Sequence, residues 1–392
     1  MHILEESYYC TGCGACANAC PMTCIYMEEN EEGFLYPTVN SEKCMNCGLC
    51  KKVCPVLEDE KEKSNIKAYA VYNQERDVVL QSSSGGVFTA IARQLIQQGG
   101  AVYGAAFQKD LTVTHLRAET EEELAAFRGS KYVQSIIGNV YKRVKVDLNK
   151  RKKVLFSGTP CQVAALKKYL GKDYENLISV DIICHSVPSP KVWKQYVREW
   201  QEREKKKISE VVFRDKRNGW QQYYFCMKKE DGTEIAELGR ENAYMKAFIQ
   251  GLSTRESCYN CKFKGKKRMS DLTLGDFWGI ENTYPEAYNP DGTSLVLVNS
   301  NKGQKILDAL DNEVIVKNVD MRVALSQNNA YWSVAKPHKK REWFLKEVGQ
   351  VPIEEMVRKI LTPTLQERMK RLWYKSILWR VIRKLYRIVY ER

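Results

Sequence analysis

Two similar runs of residues determine the fold of the N-terminal part of this chain. They are CTGCGACANACP at positions 10–21 and CMNCGLCKKVCP at positions 44–55. Each run spaces four cysteines as C-x2-C-x2-C-x3-C and places a proline directly after the last of them. The second run begins 34 residues after the first, so the pair is an internal repeat. A repeat of this kind predicts a small module with two equivalent metal-binding halves.

The spacing is typical of bacterial ferredoxins that carry two 4Fe-4S clusters. In such a module the first three cysteines of a run bind one cluster and the fourth, redirected by proline, binds the other. We therefore assign one cluster to Cys10, Cys13, Cys16 and Cys54 and the other to Cys44, Cys47, Cys50 and Cys20. Zinc is the weaker alternative, because zinc sites rarely repeat eight cysteines at this spacing. Cys24 falls outside the pattern and is expected to be packed in the core.

Composition agrees with a globular protein that contains metal. The 392 residues are 44% hydrophobic and 28% charged, which suits two or three domains. No secretory signal is recognisable before Cys10, so the 14 cysteines are expected to hold metal in the cytoplasm rather than form disulfides. No run approaches the roughly 18 apolar residues of a membrane span. The net charge of +14 predicts an anionic partner, cofactor or surface.

A charged linker at residues 58–64 separates the module from a larger body. Beyond it, apolar runs alternate with helical periods, which predicts parallel strands and helices, and the Asp231-Gly232 turn predicts an antiparallel interruption. The predicted fold is therefore an α+β ferredoxin-like two-cluster domain at residues 1–60, an α/β body with a mixed sheet at residues 66–345, and a helical basic tail at residues 346–392.

Four further cysteines are candidates for a third 4Fe-4S cluster. Cys161 and Cys184 follow predicted strands, where α/β proteins place their sites, and Cys258 and Cys261 have ligand spacing in a basic loop. Structural zinc, a redox-active dithiol and unrelated core thiols are the alternatives that spacing alone leaves open. Cys226 lies in an aromatic strand and is expected to be a core residue.

Several longer motifs carry a family resemblance. They are SSGGVFT at residues 83–89, FSGTPCQ at 156–162, DIICH at 181–185 with VPSP at 187–190, FRDK at 213–216, and SDLTLGDFW at 270–278. With these motifs the chain resembles the beta-subunit family of coenzyme F420 hydrogenases and dehydrogenases, in the form fused to an N-terminal two-cluster ferredoxin domain. The resemblance covers about residues 1–345 and implies a flavin-binding body with FAD beside one 4Fe-4S cluster.

By the same resemblance, that cluster would be bound by Cys161, Cys184, Cys258 and Cys261. One departure is visible, because Ser186 follows His185 where the family is expected to have glycine. A serine there would narrow the space for a substrate.

Residue chemistry supplies candidates for binding the flavin. The loop with Ser83, Ser84, Gly85 and Gly86 precedes a predicted helix, whose N-terminus suits a pyrophosphate, although an ordinary turn is the alternative. Lys131 could neutralise the same phosphates or be a solvated lysine. Gly158 and Thr159 could lie beside the flavin ring or merely shape a turn. His185 is a candidate catalytic proton donor, and a structural histidine is the alternative.

The tail at residues 367–392 carries nine basic and two acidic residues, and its apolar residues share one face of a helical wheel. This C-terminal amphipathic helix is predicted to lie on an anionic membrane surface, which would make the protein peripheral on the inner face of the membrane. Packing on the body or on a partner is the alternative. Nucleic acid is not expected as a partner, since no recognition fold accompanies the charge.

The sequence thus predicts an iron-sulfur flavoprotein oxidoreductase that moves electrons between a soluble carrier such as ferredoxin, the clusters, FAD and a substrate. The slightly favoured substrate is a surface-polysaccharide or lipid-linked glycan precursor. Oxidation of the reduced deazaflavin coenzyme is an alternative. A non-catalytic electron-transfer subunit of a larger complex is the alternative from a different class.

Overall fold

The computed structural model describes residues 3–4, 6–59, 61–310, 312–362 and 382–383. At the N-terminus each cysteine run ends in or near a short helix, and a hairpin lies between the runs, as in a ferredoxin-type module. Its elements are α1 (Ala15–Ala19), β1 (Ile25–Glu29), β2 (Leu35–Val39) and α2 (Leu49–Lys52). The two strands pair antiparallel, with Met27 opposite Pro37. This confirms the predicted ferredoxin-type domain ahead of the body.

The body is built on a mixed sheet of eight strands in the order β13-β3-β12-β11-β7-β6-β4-β5. These strands are β3 (Lys67–Asn73), β4 (Ala101–Phe107), β5 (Val113–Ala118), β6 (Val154–Gly158), β7 (Leu177–Ile182), β11 (Leu272–Asp276), β12 (Ser294–Val298) and β13 (Val314–Val319). A second sheet has three antiparallel strands, β8 (Ile208–Asp215), β9 (Tyr224–Lys229) and β10 (Glu234–Leu238). The predicted mixed α/β body is confirmed.

The helices pack against the large sheet or against the smaller one. They are α3 (Arg76–Leu80), α4 (Val87–Gln97), α5 (Glu121–Leu124), α6 (Val140–Asn149), α7 (Pro160–Leu170), α8 (Pro190–Glu204), α9 (Ala243–Ile249), α10 (Ile280–Thr283), α11 (Asn301–Asp308), α12 (Met321–Ala324), α13 (Asn329–Trp332), α14 (Arg341–Glu347) and α15 (Ile353–Leu361).

The centre of the large sheet is parallel and positions the site. Strands β4, β6, β7 and β11 run in the same direction, so their carboxyl ends meet along one edge. Strand β7 is buried over its first five residues, including the polar Ser179 and Asp181. The connecting helix α7 begins with Pro160 and is followed by Gly171 at φ 71°, which are the residues that favour the start and the end of a helix.

The smaller sheet packs on helices around an aromatic core centred on Trp193 of α8. Its ring contacts those of Phe107, Phe213 and Tyr244, and its Nε1 donates to the Leu111 carbonyl at 2.8 Å. Side chains of α14 and α15, such as Phe344 and Met356, are buried in the same core. The segment predicted as a tail from residue 346 therefore packs against the body as far as Leu361.

Residues 363–381 and 384–392 lie outside the described residues, and the predicted amphipathic helix falls on them. Among the residues that are described, no helix is long and apolar enough to cross a membrane.

The aromatic core yields a stability prediction. Trp193→Ala removes the ring that joins α8 to both sheets, and we expect it to lower the free energy of unfolding by about 3–5 kcal/mol. Trp332→Ala is the matched control, because that side chain is 49% exposed, and its cost should stay below about 1 kcal/mol. Urea denaturation followed by circular dichroism measures both, and equal midpoints for the two variants would contradict the central role of Trp193.

Candidate functional site

The cysteines assigned to one ferredoxin cluster surround a single small cavity. Its lining includes Cys20 from the first run together with Cys44, Cys47 and Cys50 from the second. Cys24 lies at the same cavity, with its Sγ 3.4 Å from the Sγ of Cys20. Cys24 is buried as expected, but it is a neighbour of the proposed ligands rather than a remote core residue.

The other four cysteines of the module also lie close together. Burial raises the pKa of Cys13 to about 12, and the neighbouring sulfurs of Cys10 and Cys54 add to the effect. Burial and the neighbouring sulfurs also raise the pKa of Cys16. Thiols in such a site lose their protons when they bind metal, because the metal replaces the proton as the partner of each thiolate.

The body cysteines converge although they are far apart in sequence. Cys161, Cys184, Cys258 and Cys261 all line one cavity. Strands β6 and β7 are parallel neighbours with Gly158 opposite Asp181, so Cys161 and Cys184 just beyond their ends are brought together. A 3-10 turn over Glu256–Asn260 carries the other pair to the same place. The arrangement offers four sulfurs around a space.

Three cations line this cavity of the body cysteines. Lys264 donates its Nζ to the Cys184 carbonyl at 2.6 Å and to the Ala330 carbonyl at 2.8 Å. Arg268 pairs with buried Asp181 at 3.1 Å, and Arg255 completes the set. Positive charge was expected here from the basic loop, and it would offset the negative charge of a cluster bound by four thiolates.

Arg255 also fastens the ferredoxin-type module to the body. Its side chain is 1% exposed, its Nε donates to the Cys10 carbonyl at 2.8 Å, and its Nη2 donates to the Leu35 carbonyl at 3.0 Å. Gly12 at φ 67° lies in the same contact, where a Cβ would be 2.5 Å from Gln134 Nε2. The approach is therefore close enough to require glycine.

The three sets of cysteines form a series. Cys54 of one module set is near enough to Cys50 of the other for their charges to interact, and Cys161 of the body has the same relation to Cys13. The set with Cys10, Cys13, Cys16 and Cys54 thus lies between the outer set and the body set.

A larger cavity of about 490 Å³ opens at the carboxyl ends of the parallel strands. This is the usual position of ligand sites in open α/β sheets, and the volume is in the range of cofactor pockets. It shares six lining residues with the cavity of the body cysteines: Thr11, Cys161, Cys184, His185, Ser186 and Val187. A molecule in the large cavity would therefore lie directly beside the body cysteines.

Most of the residues predicted to bind the flavin line this large cavity. They are Ser83, Ser84, Gly86, Lys131, Gly158 and Thr159. His185, the predicted catalytic residue, lines it as well. Gly85 is packed instead against the sheet, where its amide donates to Ser294 Oγ at 2.9 Å and a Cβ would be 2.5 Å from the Val71 carbonyl. Because Gly85 has no side chain, the loop can pass close to the strands.

The loop before α4 has the features of an anion site. Gly86 is the N-cap at φ 82° and gives α4 no side-chain cap, while Val87 and Phe88 of the first turn line the cavity. Ser83 Oγ accepts from the Ser130 amide at 2.7 Å, which joins this loop to the one that carries Lys131. Free amides at a helix N-terminus beside hydroxyls suit a phosphate.

Within the described part of the chain, two lysines next to these loops have only backbone carbonyls as hydrogen-bond partners. Lys131 donates its Nζ to the carbonyls of Ala126 and Arg128, and Lys216 donates to those of Val79 and Ser84. Burial lowers the pKa of each to about 7. A bound anion nearby would raise the pKa of both lysines again, since an opposite charge favours the ammonium form.

Sequence reasoning missed His115, which lines the cavity from β5. Its Nε2 contacts the Ser157 carbonyl at 3.0 Å and its Nδ1 contacts Ser135 Oγ at 2.6 Å. A carbonyl can only accept, so Nε2 carries the proton and Nδ1 accepts from the serine. Burial lowers the pKa of His115 to about 4, so the ring is neutral at physiological pH.

The aromatic and charged group formed by Arg214, Tyr223 and Trp278 was also missed, and it lines another part of the cavity. A signal was available, because Arg214 lies in the FRDK motif and Trp278 ends the SDLTLGDFW motif. Ser186, the departure from the expected family pattern, is buried. Its Oγ lies 3.1 Å from Thr254 Oγ1.

Comparisons with known proteins identify two domains in the chain. Residues 9–57 match the family described as "4Fe-4S dicluster domain", and residues 151–321 match the C-terminus model of the family described as "Coenzyme F420 hydrogenase/dehydrogenase, beta subunit". One similar solved structure is the xenon-derivatised F420-reducing nickel-iron hydrogenase complex from Methanosarcina barkeri, at 16% identity and a TM-score of 0.46, covering 76% of this chain and 93% of that chain. No curated protein matches. The two matches confirm the predicted combination of a 4Fe-4S dicluster domain with the C-terminal domain of that family.

The neutral His115 predicts a pH dependence of stability. An unfolded histidine titrates near pH 6.5 and the folded one near 4, so its contribution is complete above pH 6.5 and is lost as pH falls towards 4. Between pH 7 and pH 5 the wild type should lose about 2 kcal/mol more than His115→Gln. Urea midpoints at the two pH values test this, and equal losses would show that His115 titrates normally.

Proposed function

Because the chain joins a 4Fe-4S dicluster domain to the C-terminal domain of the coenzyme F420 hydrogenase/dehydrogenase beta-subunit family, we propose that it is an iron-sulfur flavoenzyme. Electrons would pass between a protein carrier, three 4Fe-4S clusters, FAD and a substrate. The iron-sulfur oxidoreductase character rests on the two family matches, and the flavin, the third cluster and the substrate are the proposal.

One observation carries the proposal above the others. The three sets of cysteines follow one another, and the last set shares its wall with the large cavity. Thr11 lies between Cys10 and Cys13 in sequence and lines both the body-cysteine cavity and the large cavity. Such a series is what electron transfer from a surface to a buried substrate site requires.

The residues of the large cavity fit FAD. The uncapped start of α4, the Ser83 hydroxyl and Lys131 would hold its pyrophosphate, and the half-buried Gly158 and Thr159 lie beside the body cysteines, where the ring is expected. A bound FAD would convert between the two-electron chemistry of a substrate and the single-electron chemistry of clusters. His185 lines both cavities, and we propose that it holds or moves a proton there.

The carrier is proposed to dock where the outer cysteine set reaches the surface. Cys47 is exposed, and Met22, Met45 and Leu49 around the same cavity are exposed apolar side chains. Lys43, Lys51 and Lys52 are exposed next to them. A small acidic electron carrier such as a ferredoxin suits a surface with an apolar centre and basic neighbours.

For the substrate, a surface-polysaccharide or lipid-linked glycan precursor and the reduced deazaflavin coenzyme both stay as proposals. Attachment of residues 367–392 to an anionic membrane surface would suit the lipid-linked substrate, and it is proposed from charge alone. A cavity that extends beyond the loops assigned to the flavin favours a catalytic role over that of an electron-transfer subunit.

Metal and flavin analysis of the anaerobically purified chain tests the function directly. We expect about twelve iron atoms, matching sulfide and one FAD per chain. Cys261→Ala should lose about four irons, because one ligand of the body cluster is removed. Cys226→Ala is the matched control, since this buried cysteine lies on β9 away from all three cysteine sets, and it should keep about twelve. About eight irons and no flavin in the wild type would refute the body site.

The anion site before α4 gives a second test. Lys131→Met removes the ammonium group from the cavity, and FAD should bind about tenfold or more weakly, which corresponds to about 1.5–3 kcal/mol for a hydrogen bond to a charged group. Lys109→Met changes an exposed lysine and should leave the affinity unchanged. Reconstitution of the flavin-stripped protein, followed by fluorescence, measures both, and equal affinities would remove Lys131 from the flavin site.

A further inference from the structure

We propose that Arg214 forms a second anion subsite in the large cavity, which binds a carboxylate or phosphate group of the substrate. The inference deepens the proposed function, because it rests on the same cavity being the substrate site. It is carried by a buried guanidinium with unpaired donors, by the aromatic rings that it contacts, and by its position next to the loops assigned to the flavin.

The guanidinium of Arg214 is held on one edge and unpaired on the other. The side chain is 3% exposed and lines the cavity, and its Nη1 donates to Asp276 Oδ2 in a short ion pair. Its Nε and Nη2 have no hydrogen-bond partner among the described residues. These two nitrogens form one side of the planar group, and a carboxylate or phosphate can accept from both at once.

Asp276 is itself fixed, so it orients the arginine. Its Oδ1 accepts from Trp220 Nε1 at 3.1 Å, and its backbone carbonyl accepts from Asn328 Nδ2 at 3.0 Å. With both carboxylate oxygens engaged, Asp276 cannot turn to satisfy the remaining nitrogens of Arg214. The unpaired edge is therefore a stable feature of the folded chain rather than one of several side-chain arrangements.

Two aromatic rings flank the guanidinium. Its centre lies 4.6 Å from the Tyr223 ring and 5.1 Å from the Trp278 ring, and Trp278 is stacked on Trp220 at 5.0 Å with an interplanar angle of 3°. Contacts with the ring faces stabilise the cation but use none of its hydrogen-bond donors. The donors that remain are those at the edge of the group.

The subsite adjoins the loops assigned to the flavin but is built from other elements. Arg214 comes from β8 of the smaller sheet and meets the large sheet at Asp276, the last residue of β11. Asp276 pairs with Ser294, which accepts from the Gly85 amide of the flavin loop. A molecule held by Arg214 would therefore lie next to a flavin bound by that loop, which is the position that a substrate needs. A substrate with a carboxylate or phosphate group is the chemistry that matches its two free donors.

The test uses the full chain, purified anaerobically with its iron and flavin. Inorganic phosphate and acetate are titrated separately at constant ionic strength, and tryptophan fluorescence reports on Trp278 and Trp220. We expect saturable binding of at least one anion by the wild type. Arg214→Gln should weaken it at least tenfold, and Arg214→Lys should restore only part, because lysine keeps the charge but loses the paired donors. Arg240→Gln, an exposed arginine, should bind like the wild type.

Iron and flavin contents of each variant separate the two proposals. Wild-type contents in Arg214→Gln together with weakened anion binding support the subsite, and tighter binding of phosphate or of acetate identifies the group recognised. Unchanged anion binding in Arg214→Gln, or none in the wild type, overturns the subsite while leaving the flavoenzyme intact. Loss of flavin from both folded Arg214 variants also overturns it, by assigning the arginine to the cofactor. A wild type without flavin that still binds anions through Arg214 refutes the function and keeps the subsite.

Discussion

The buried guanidinium of Arg255 is the interaction on which the rest of the arrangement depends. It donates to the backbone carbonyls of Cys10 and Leu35 in the module. Arg255 itself lies in the loop of the body that carries Cys258. This side chain therefore helps to fix the distance between two cysteine sets. Electrons cross only short gaps between metal centres, so a module tethered by its linker alone would not serve. A buried cation with oxygen partners at Nε, Nη1 and Nη2 gives a rigid contact, because breaking it would leave the charge unpaired.

The contact is reinforced at its periphery, where Glu32 of the module pairs with Arg341 through both carboxylate oxygens, at 2.8 and 2.6 Å. Arg341 also donates to the Thr254 carbonyl at 3.0 Å, next to Arg255. The helix that begins with Arg341 is part of the aromatic core around Trp193. Packing of the last described helices is thereby linked to the position of the ferredoxin-type module, which explains why the segment after residue 345 belongs with the body.

Much of the fold followed from local patterns in the sequence. The predicted alternation of apolar runs and helical periods is seen at the strands Ala101–Phe107 and Ser294–Val298 and at the helix Pro160–Leu170. Each of them is a continuous apolar or amphipathic run between Gly, Pro or Ser signals. The convergence of Cys161 and Cys184 was predictable from their places after neighbouring strands. By contrast, β8, β11 and β13 were missed, since their residues are mixed in character and are fixed by pairing with distant strands.

The site residues that escaped prediction share one property, namely that their roles are set by tertiary contacts. Arg214 and Lys216 leave the smaller sheet in the same motif, yet one meets Asp276 and the other lies under the Ser84 carbonyl. No spacing rule connects these partners.

The net charge of +14 indicated anionic ligands, and the structure shows where part of that positive charge lies. Among the residues that the structure describes, Lys131 and Lys216 donate only to carbonyls and Arg214 has two unpaired donors. Lys264 and Arg268 line the body-cysteine cavity. Buried cations with incomplete partners are costly in a chain without ligands. Thiolate-bound clusters, a pyrophosphate and an acidic substrate would supply the missing negative charge, so binding and folding at this site stabilise each other.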